Sequence, residues 1–310
     1  MTWQRVLTAL VLIPVVVGLV LFTPTWAVAI ATAIITVLAL WEYFALGDAI
    51  GHRAYRLWTT FSALLIVTLQ AMYPLVEFLG AGRPRVRIFM LDPGADATQI
   101  SNPGWHTSNL LLQNVLLHLD LAVVIFVFVI GLTSLTLWTR RPLVETLPAA
   151  GISSSALLLV AFPLSFAVRI HGYSVEGPRL LLFALVIIWA SDTVAYFVGR
   201  ATGKHPLAPK ISPKKTWEGS VAAMIGSLCV AYGFHFWLTI PLPHLFAMAA
   251  LGNIAGQMGD LLESAYKRSA GVKDSGGLLP GHGGILDRID ALILCIPVIW
   301  YYLVLVNPHL

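Results

Sequence analysis

Long uninterrupted stretches of apolar residues are the feature that most restricts how this 310-residue chain can fold. A helix needs about 20 apolar residues to cross the ~30 Å hydrocarbon core of a bilayer. Because backbone polar groups must be paired within lipid, and no strand-like alternation is present, each stretch is predicted to be a helix. The predicted fold is an all-α, polytopic transmembrane bundle. Its nine predicted spans lie near 6–22, 26–46, 57–79, 119–138, 149–166, 180–198, 218–240, 245–262 and 289–306.

Composition supports the same class of protein. The chain is 58% hydrophobic and only 11% charged, and its mean hydropathy is +0.82, values that exclude an ordinary soluble globule. Cys229 and Cys295 both lie in apolar runs, so disulfide or zinc chemistry is not indicated. An alternative interpretation treats Arg5 and the following apolar run as a cleaved secretory signal. The apolar sequence resumes at once and continues through Leu46, which favours two spans instead.

The distribution of basic residues predicts the orientation. With nine spans, 14 of the 19 Lys and Arg residues fall on one side of the membrane and five on the other. Because basic residues accumulate in cytoplasmic loops, we predict the N-terminus inside and the C-terminus outside. We further predict an N-terminal transmembrane region, 1–148, with an outer-side loop near 80–107 that has no assigned role. The remaining region, 149–310, is predicted to be the catalytic transmembrane region.

Acidic residues within apolar stretches are the first indication of function, because an ionised acid at mid-membrane costs about 2.5 to 3.5 kcal/mol. Four such acids lie toward the predicted cytoplasmic ends of their spans: Glu42, Asp192, Asp260 and Glu263. On the eighth predicted helix, Ser264 and Lys267 share the face of Asp260. An ion pair between a carboxylate and a snorkelling lysine is the alternative for this face. The convergence of the acids nevertheless favours one inward-facing site.

A glycine-rich segment follows the eighth helix. It contains six glycines between Ser269 and Gly284, and such glycines allow backbone N–H groups to turn toward an anion. The alternative is a flexible solvated loop. With Asp260 before it and Asp287 after it, we expect a phosphate site with carboxylates for a hard cation such as Mg²⁺. Its other polar residues, including those where the chain re-enters the membrane, are Lys273, Asp274, His282, Arg288 and Asp290.

A second basic cluster precedes the seventh predicted helix. Lys214 and Lys215 stand beside Thr216, which is predicted to cap that helix and so to direct its free N–H groups toward an anion. A basic anchor on the cytoplasmic side is the alternative. Asp192 and Tyr196 lie one turn apart on the sixth helix, either as a structural pair or as part of the site. The residues alone therefore predict a phosphate-handling, metal-dependent site that faces inward, without identifying the nucleotide.

The order of these residues resembles the signature of the phosphatidate cytidylyltransferases, also called CDP-diglyceride synthases. The resemblance is strongest between about residues 189 and 290. It rests on the segments SAYKR at 264–268, KD at 273–274, LPGHGGILDRID at 279–290, SDTVAY at 191–196 and SPKKTWEG at 212–219, with the shorter WE at 41–42.

The resemblance implies that CTP and phosphatidic acid give CDP-diacylglycerol and pyrophosphate, as a step of phospholipid biosynthesis. It further implies a multi-pass protein of the cell inner membrane with its site facing the cytoplasm, and it suggests a homodimer; no nucleic-acid partner is expected. Together with the interpretation above, it predicts Mg²⁺, with a second cation as a further candidate. The predicted catalytic residues are Asp260, Asp287, Lys273 and Asp274. The predicted metal ligands are Asp260 and Asp287, with Asp192 as a further candidate. The predicted substrate-binding residues are Lys214, Lys215, Lys267, Arg268, His282, Arg288 and Ser264.

Two other functions compete with this prediction. A CTP-dependent lipid kinase would also use CTP and a membrane lipid but would transfer the γ-phosphoryl group, and its product would be CDP rather than pyrophosphate. An ion or phosphate transporter would place acids in both halves of the membrane, as inverted repeats do. Neither an inverted repeat nor an outer-side acidic cluster is evident in the sequence.

Overall fold

A computed structural model describes residues 2–80, 121–139, 142–277 and 283–306 of the chain. Beyond Gly80, the loop predicted near 80–107 lies outside these ranges, as does His282. One of the helices contains a π-helical turn, at Leu157–Ala161. The helices are α1 (Thr2–Phe22), α2 (Thr25–Ala49), α3 (Arg56–Gly80), α4 (Leu121–Trp138), α5 (Leu143–Gly172), α6 (Gly177–Thr202), α7 (Trp217–Phe234), α8 (Leu242–Ser269) and α9 (Leu286–Val306).

The length and surface of these helices are those of a membrane protein. Six of the helices in the described ranges are long and apolar enough to cross a bilayer: α2, α4, α5, α6, α8 and α9. Large apolar side chains point outward, among them Phe126 and Ile130 on α4 and Val221 and Ile225 on α7. Such a surface is stable only against lipid or other protein. The chain is therefore a polytopic helical membrane protein, while the number of nine spans and the orientation stay predictions.

The helices pack in two groups, and α5 contacts members of both. One group joins α2, α3, α4 and α5, and the other joins α6, α7, α8 and α9. Helix α5 also contacts α6 and α9, and fully buried Phe166 and Phe183 belong to the continuous apolar core. The predicted boundary at residue 148 falls inside α5, and the division into two regions stays a prediction.

The basic segment before α7 forms a small antiparallel β-hairpin, which the all-helical prediction did not include. Strand β1 (Pro206–Ala208) pairs with β2 (Ser212–Thr216), and Pro206 lies opposite Thr216. Its backbone is partly exposed, so a proline in each short strand is tolerated. The hairpin places Lys214 and Lys215 directly before the start of α7.

Candidate active site

The start of α7 is held as the sequence predicts. Thr216 is the N-cap of the helix, and its Oγ1 accepts a hydrogen bond from the Gly219 backbone N at 3.2 Å. The backbone N of Trp217 donates to the His205 carbonyl at 2.9 Å, and His205 Nδ1 lies 2.7 Å from Glu218 Oε1. These contacts attach the hairpin to the first turn of α7.

A cavity of about 660 Å³ opens beside this turn, between α6, β2, α7 and α8. This volume is within the range of small-molecule sites, about 300 to 1,000 Å³. Carboxylate, lysine, hydroxyl and amide groups line it together with small residues that leave room for a ligand. Its polar lining residues are Ser191, Asp192, Tyr196, Arg200, Lys214, Lys215, Thr216, Ser220, Gln257 and Asp260.

Carboxylates from two helices line this cavity, and a carboxylate from a third helix interacts with them. Asp192 of α6 interacts electrostatically with Asp260 of α8, and with Lys215 and Arg288. Asp290 of α9 interacts with both Asp260 and Asp192. We refer to Asp192, Asp260 and Asp290 as the acidic cluster. Three carboxylates so placed repel one another unless cations offset their charge.

Lys215 and Asp260 form an ion pair at the cavity wall. Their side chains are 28% and 27% exposed, and Ser264 Oγ lies 3.5 Å from Asp260 Oδ1. The predicted neighbours on the face of α8 are therefore close in the structure. Because the pair is open to solvent, Lys215 can leave Asp260 when a competing ligand arrives.

A second, buried group lies next to the acidic cluster. Lys267 Nζ is 2.5 Å from Glu263 Oε2 and 2.5 Å from Asp287 Oδ1. The other oxygen of Asp287 accepts hydrogen bonds from Ser275 N at 3.0 Å, Ser275 Oγ at 3.0 Å and Gly284 N at 2.8 Å. Both oxygens of Asp287 are thus engaged by protein donors, which tie the glycine-rich segment to the first turn of α9.

The carboxylate oxygens of the acidic cluster suit a hard cation, although the described residues do not form a complete metal site. Within the described ranges, no three His, Cys, Asp or Glu side chains converge tightly enough to hold a metal ion by themselves. The acidic cluster supplies the oxygen ligands that Mg²⁺ prefers, and Mg²⁺ usually completes its shell with water and substrate phosphates. The sharing of one ion by Asp260 and Asp287 stays a prediction, and it requires Asp287 to exchange one of its present partners.

The other predicted site residues are less closely gathered. Arg268 donates from Nε to the Ile211 carbonyl at 3.3 Å and from Nη1 to the Val272 carbonyl at 3.1 Å, so it joins the hairpin turn to the glycine-rich segment. Lys273, Asp274 and Arg288 are exposed. Arg288 also interacts electrostatically with Asp192.

Sequence reasoning noted Glu42 and Asp290 near the predicted site but gave no catalytic, binding or metal role to either of them or to Gln257. Asp290 follows Asp287 by one helical turn, a spacing that indicates a shared region of α9. Gln257 precedes Asp260 by one turn and lines the cavity. Glu42 stood out as an acid in an apolar stretch, but nothing local to α2 indicates its partners.

Comparison with known proteins gives one family. A family model described as "Cytidylyltransferase family" matches residues 3–306. The phosphatidate cytidylyltransferase of Haemophilus influenzae is 35% identical over 317 residues, which cover 96% of this chain and 97% of that protein. The phosphatidate cytidylyltransferase of Bacillus subtilis is 37% identical over 162 residues, or 52% of this chain and 60% of that protein. That of Staphylococcus saprophyticus is 47% identical over 126 residues, or 40% and 48%.

Proposed function

The chain belongs to the cytidylyltransferase family, and from this premise we propose that the cavity between α6, α7 and α8 is where it transfers the cytidylyl group of CTP to phosphatidate. The products are CDP-diacylglycerol and pyrophosphate. One observation supports this location above all. Asp192 of α6, Asp260 of α8 and the lysines of β2 line one cavity large enough for a nucleotide. Asp290 of α9 interacts electrostatically with both of these carboxylates.

The reaction exchanges one phosphorus–oxygen bond for another. A phosphate oxygen of phosphatidate attacks the α-phosphorus of CTP, and the bond from that phosphorus to the bridging oxygen of the β-phosphate breaks. The electron pair leaves with pyrophosphate. A phosphate monoester has a second pKa of about 6 and is largely a dianion at neutral pH. The protein therefore does not need a strong base to activate it. Its task is to align two anions and to offset their charge.

Lys214 and Lys215 are the proposed triphosphate ligands. Both line the cavity, and both immediately precede the N-terminus of α7, whose first N–H groups favour an anion. When the triphosphate enters, Lys215 exchanges its bond with Asp260 for a phosphate oxygen. Asp260 is then released for another partner.

The acidic cluster is the proposed cation site. Asp260, Asp192 and Asp290 would hold Mg²⁺, with Asp287 as a further ligand once Lys267 is retained by Glu263 alone. When bound there, the cation offsets the negative charge that develops on the leaving pyrophosphate. Lys273, Asp274, Arg288 and Ser264 remain candidates for contacts with the two substrates.

We further propose nine spans, with the N-terminus inside and the site facing the cytoplasm at the inner membrane. The split of 14 basic residues against five supports this orientation. It would let CTP arrive from the cytosol while phosphatidate enters from the inner leaflet.

The activity is tested with protein purified in detergent, phosphatidate, Mg²⁺ and CTP labelled either at the α- or at the γ-phosphorus. We expect the α-label in the lipid fraction and the γ-label in pyrophosphate. A γ-labelled lipid together with free CDP would instead identify a lipid kinase. Omission of phosphatidate is the control, because it must abolish release of pyrophosphate.

A further inference from the structure

Glu42 of α2 forms hydrogen bonds with residues that lie far from it in the sequence. Its side chain is buried, and Oε1 accepts a hydrogen bond from the backbone N of Ile285 at 2.9 Å. Its other oxygen, Oε2, accepts from the backbone N of Leu286 at 2.8 Å and from Ser275 Oγ at 3.1 Å. Leu286 is the first residue of α9. Glu42 therefore supplies, from a distant helix, an acceptor for N–H groups that have no partner within α9, and its negative charge suits that end of the helix dipole.

The glycine-rich segment is shaped to admit this carboxylate. A Cβ at Gly276 would lie 2.5 Å from Glu42 Oε1, and a Cβ at Gly284 would lie 2.3 Å from Glu42 Oε2. Both distances are shorter than any side chain tolerates. All three atoms near a Cβ at Gly276 belong to Glu42, whereas Gly284 also approaches Ser275. An alanine at either position would therefore have to displace the Glu42 carboxylate.

Ser275 connects Glu42 to the site. Its hydroxyl oxygen lies 3.1 Å from Glu42 Oε2 and 3.0 Å from Asp287 Oδ2, so its one hydrogen can be donated to either carboxylate. The same two carboxylates bind the backbone N atoms of Gly284, Ile285 and Leu286. This contact set fixes the start of α9, whose first turn carries Asp287 and Asp290.

We propose that Glu42 is a positioning residue for the reaction: it fixes the glycine-rich segment and the first turn of α9, so that Asp287 and Asp290 face α8. This inference rests on the proposed function. Glu42 does not touch the 660 Å³ cavity or the hairpin lysines. Its loss should therefore reduce turnover without weakening the binding of CTP.

The experiment compares Glu42→Gln and Glu42→Ala with Thr36→Val, a control at a fully buried polar residue of the same helix. We expect kcat to fall at least about tenfold in Glu42→Ala. The fall should be smaller in Glu42→Gln, because the amide oxygen still accepts two of the three hydrogen bonds. The KM for CTP should change less than about threefold, and Thr36→Val should resemble the parent protein.

Hydrogen exchange supplies a readout that does not depend on activity. In both Glu42 variants we expect faster exchange at 275–277 and 283–287, with α5, α6 and α7 unchanged. Faster exchange throughout the bundle, together with lower thermal stability, would show that Glu42 only stabilises the fold in general. If the parent protein transferred no cytidylyl group but the exchange result held, the proposed function would fail, while the role of Glu42 in fixing the first turn of α9 would stand.

The Gly276→Ala variant completes the test through a double-mutant cycle. Alone, it should lower kcat, because its methyl group displaces the Glu42 carboxylate. In a Glu42→Ala background the methyl group has room, so it should add less than about twofold. Full additivity of the two effects, or an unchanged kcat in a folded Glu42→Ala protein, would overturn the proposal.

Discussion

Replacing Asp260 by Asn separates a role in catalysis from a role in stability. The amide keeps the shape of the carboxylate but removes its charge. The ion pair that is lost, with Lys215, is more than a quarter exposed, and exposed pairs contribute about 0.2 to 1 kcal/mol to stability. At about 2 to 4 °C per kcal/mol, the melting temperature should fall by no more than about 4 °C. Turnover should instead fall by about 10² to 10³ or more, because the variant lacks a proposed ligand of the cation that offsets negative charge at the reacting phosphates.

Asp287→Asn is the matched comparison. The Asp287 side chain is only 8% exposed, and its loss leaves buried Lys267 with Glu263 alone. Removing one partner of a buried pair costs about 3 kcal/mol at the low end of its range, or roughly 6 to 12 °C. This variant should therefore be clearly less stable than Asp260→Asn. If both residues also hold one ion, the turnover of the double variant should be little lower than that of either single variant.

The assay combines thermal unfolding in detergent with single-turnover kinetics over a range of Mg²⁺ concentrations. Added Mg²⁺ or Mn²⁺ should recover part of the activity in either single variant but not in the double variant. Near-normal turnover of Asp260→Asn would refute the assignment of Asp260 to the cation site. Near-normal turnover of a folded Asp287→Asn protein would leave Asp287 as a structural partner of Lys267 and Ser275.

Three further outcomes are expected. Lys214→Ala and Lys215→Ala should each raise the KM for CTP by about tenfold with a smaller change in kcat, whereas a shift in lipid saturation alone would assign them to the phosphatidate headgroup. Removal of divalent cations with EDTA should abolish transfer, and Mg²⁺ should restore it; full activity in EDTA would remove the cation from the proposal. In a background without the native cysteines, Val175→Cys should react with an impermeant reagent from outside, and Lys210→Cys only after the membrane is opened. Labelling of both from one side would disprove the orientation.

Several parts of the molecule could be predicted from local sequence. The apolar stretches indicate helices because lipid leaves the backbone no other partners, and the described helices overlap the predicted spans. The cap at Thr216 was also predictable, because capping depends on residues within one turn of the helix. Likewise, the proximity of Ser264 and Lys267 to the acids of α8 follows from helical spacing.

Contacts between elements could not be predicted in this way. Glu42 is separated from Ser275 by 233 residues, and no periodicity in α2 indicates that its carboxylate completes the start of α9. Asp287 illustrates the same limit. Its place after a glycine-rich segment suggested a free metal ligand, whereas the fold surrounds it with Lys267, Ser275 and Gly284.

Local sequence was enough to identify this chain as a helical membrane protein and to recognise its family signature. Hydropathy and motif spacing depend on the order of neighbouring residues, so both can be analysed without knowledge of the fold. The partners of the charged groups follow only from the fold: Lys215 pairs with Asp260, Lys267 lies between Glu263 and Asp287, and the acid Asp290 lies near the acids Asp260 and Asp192. Those partners come from different helices, and their distances are set by how the helices pack, since electrostatic and hydrogen-bond energies depend on separation in space rather than along the chain.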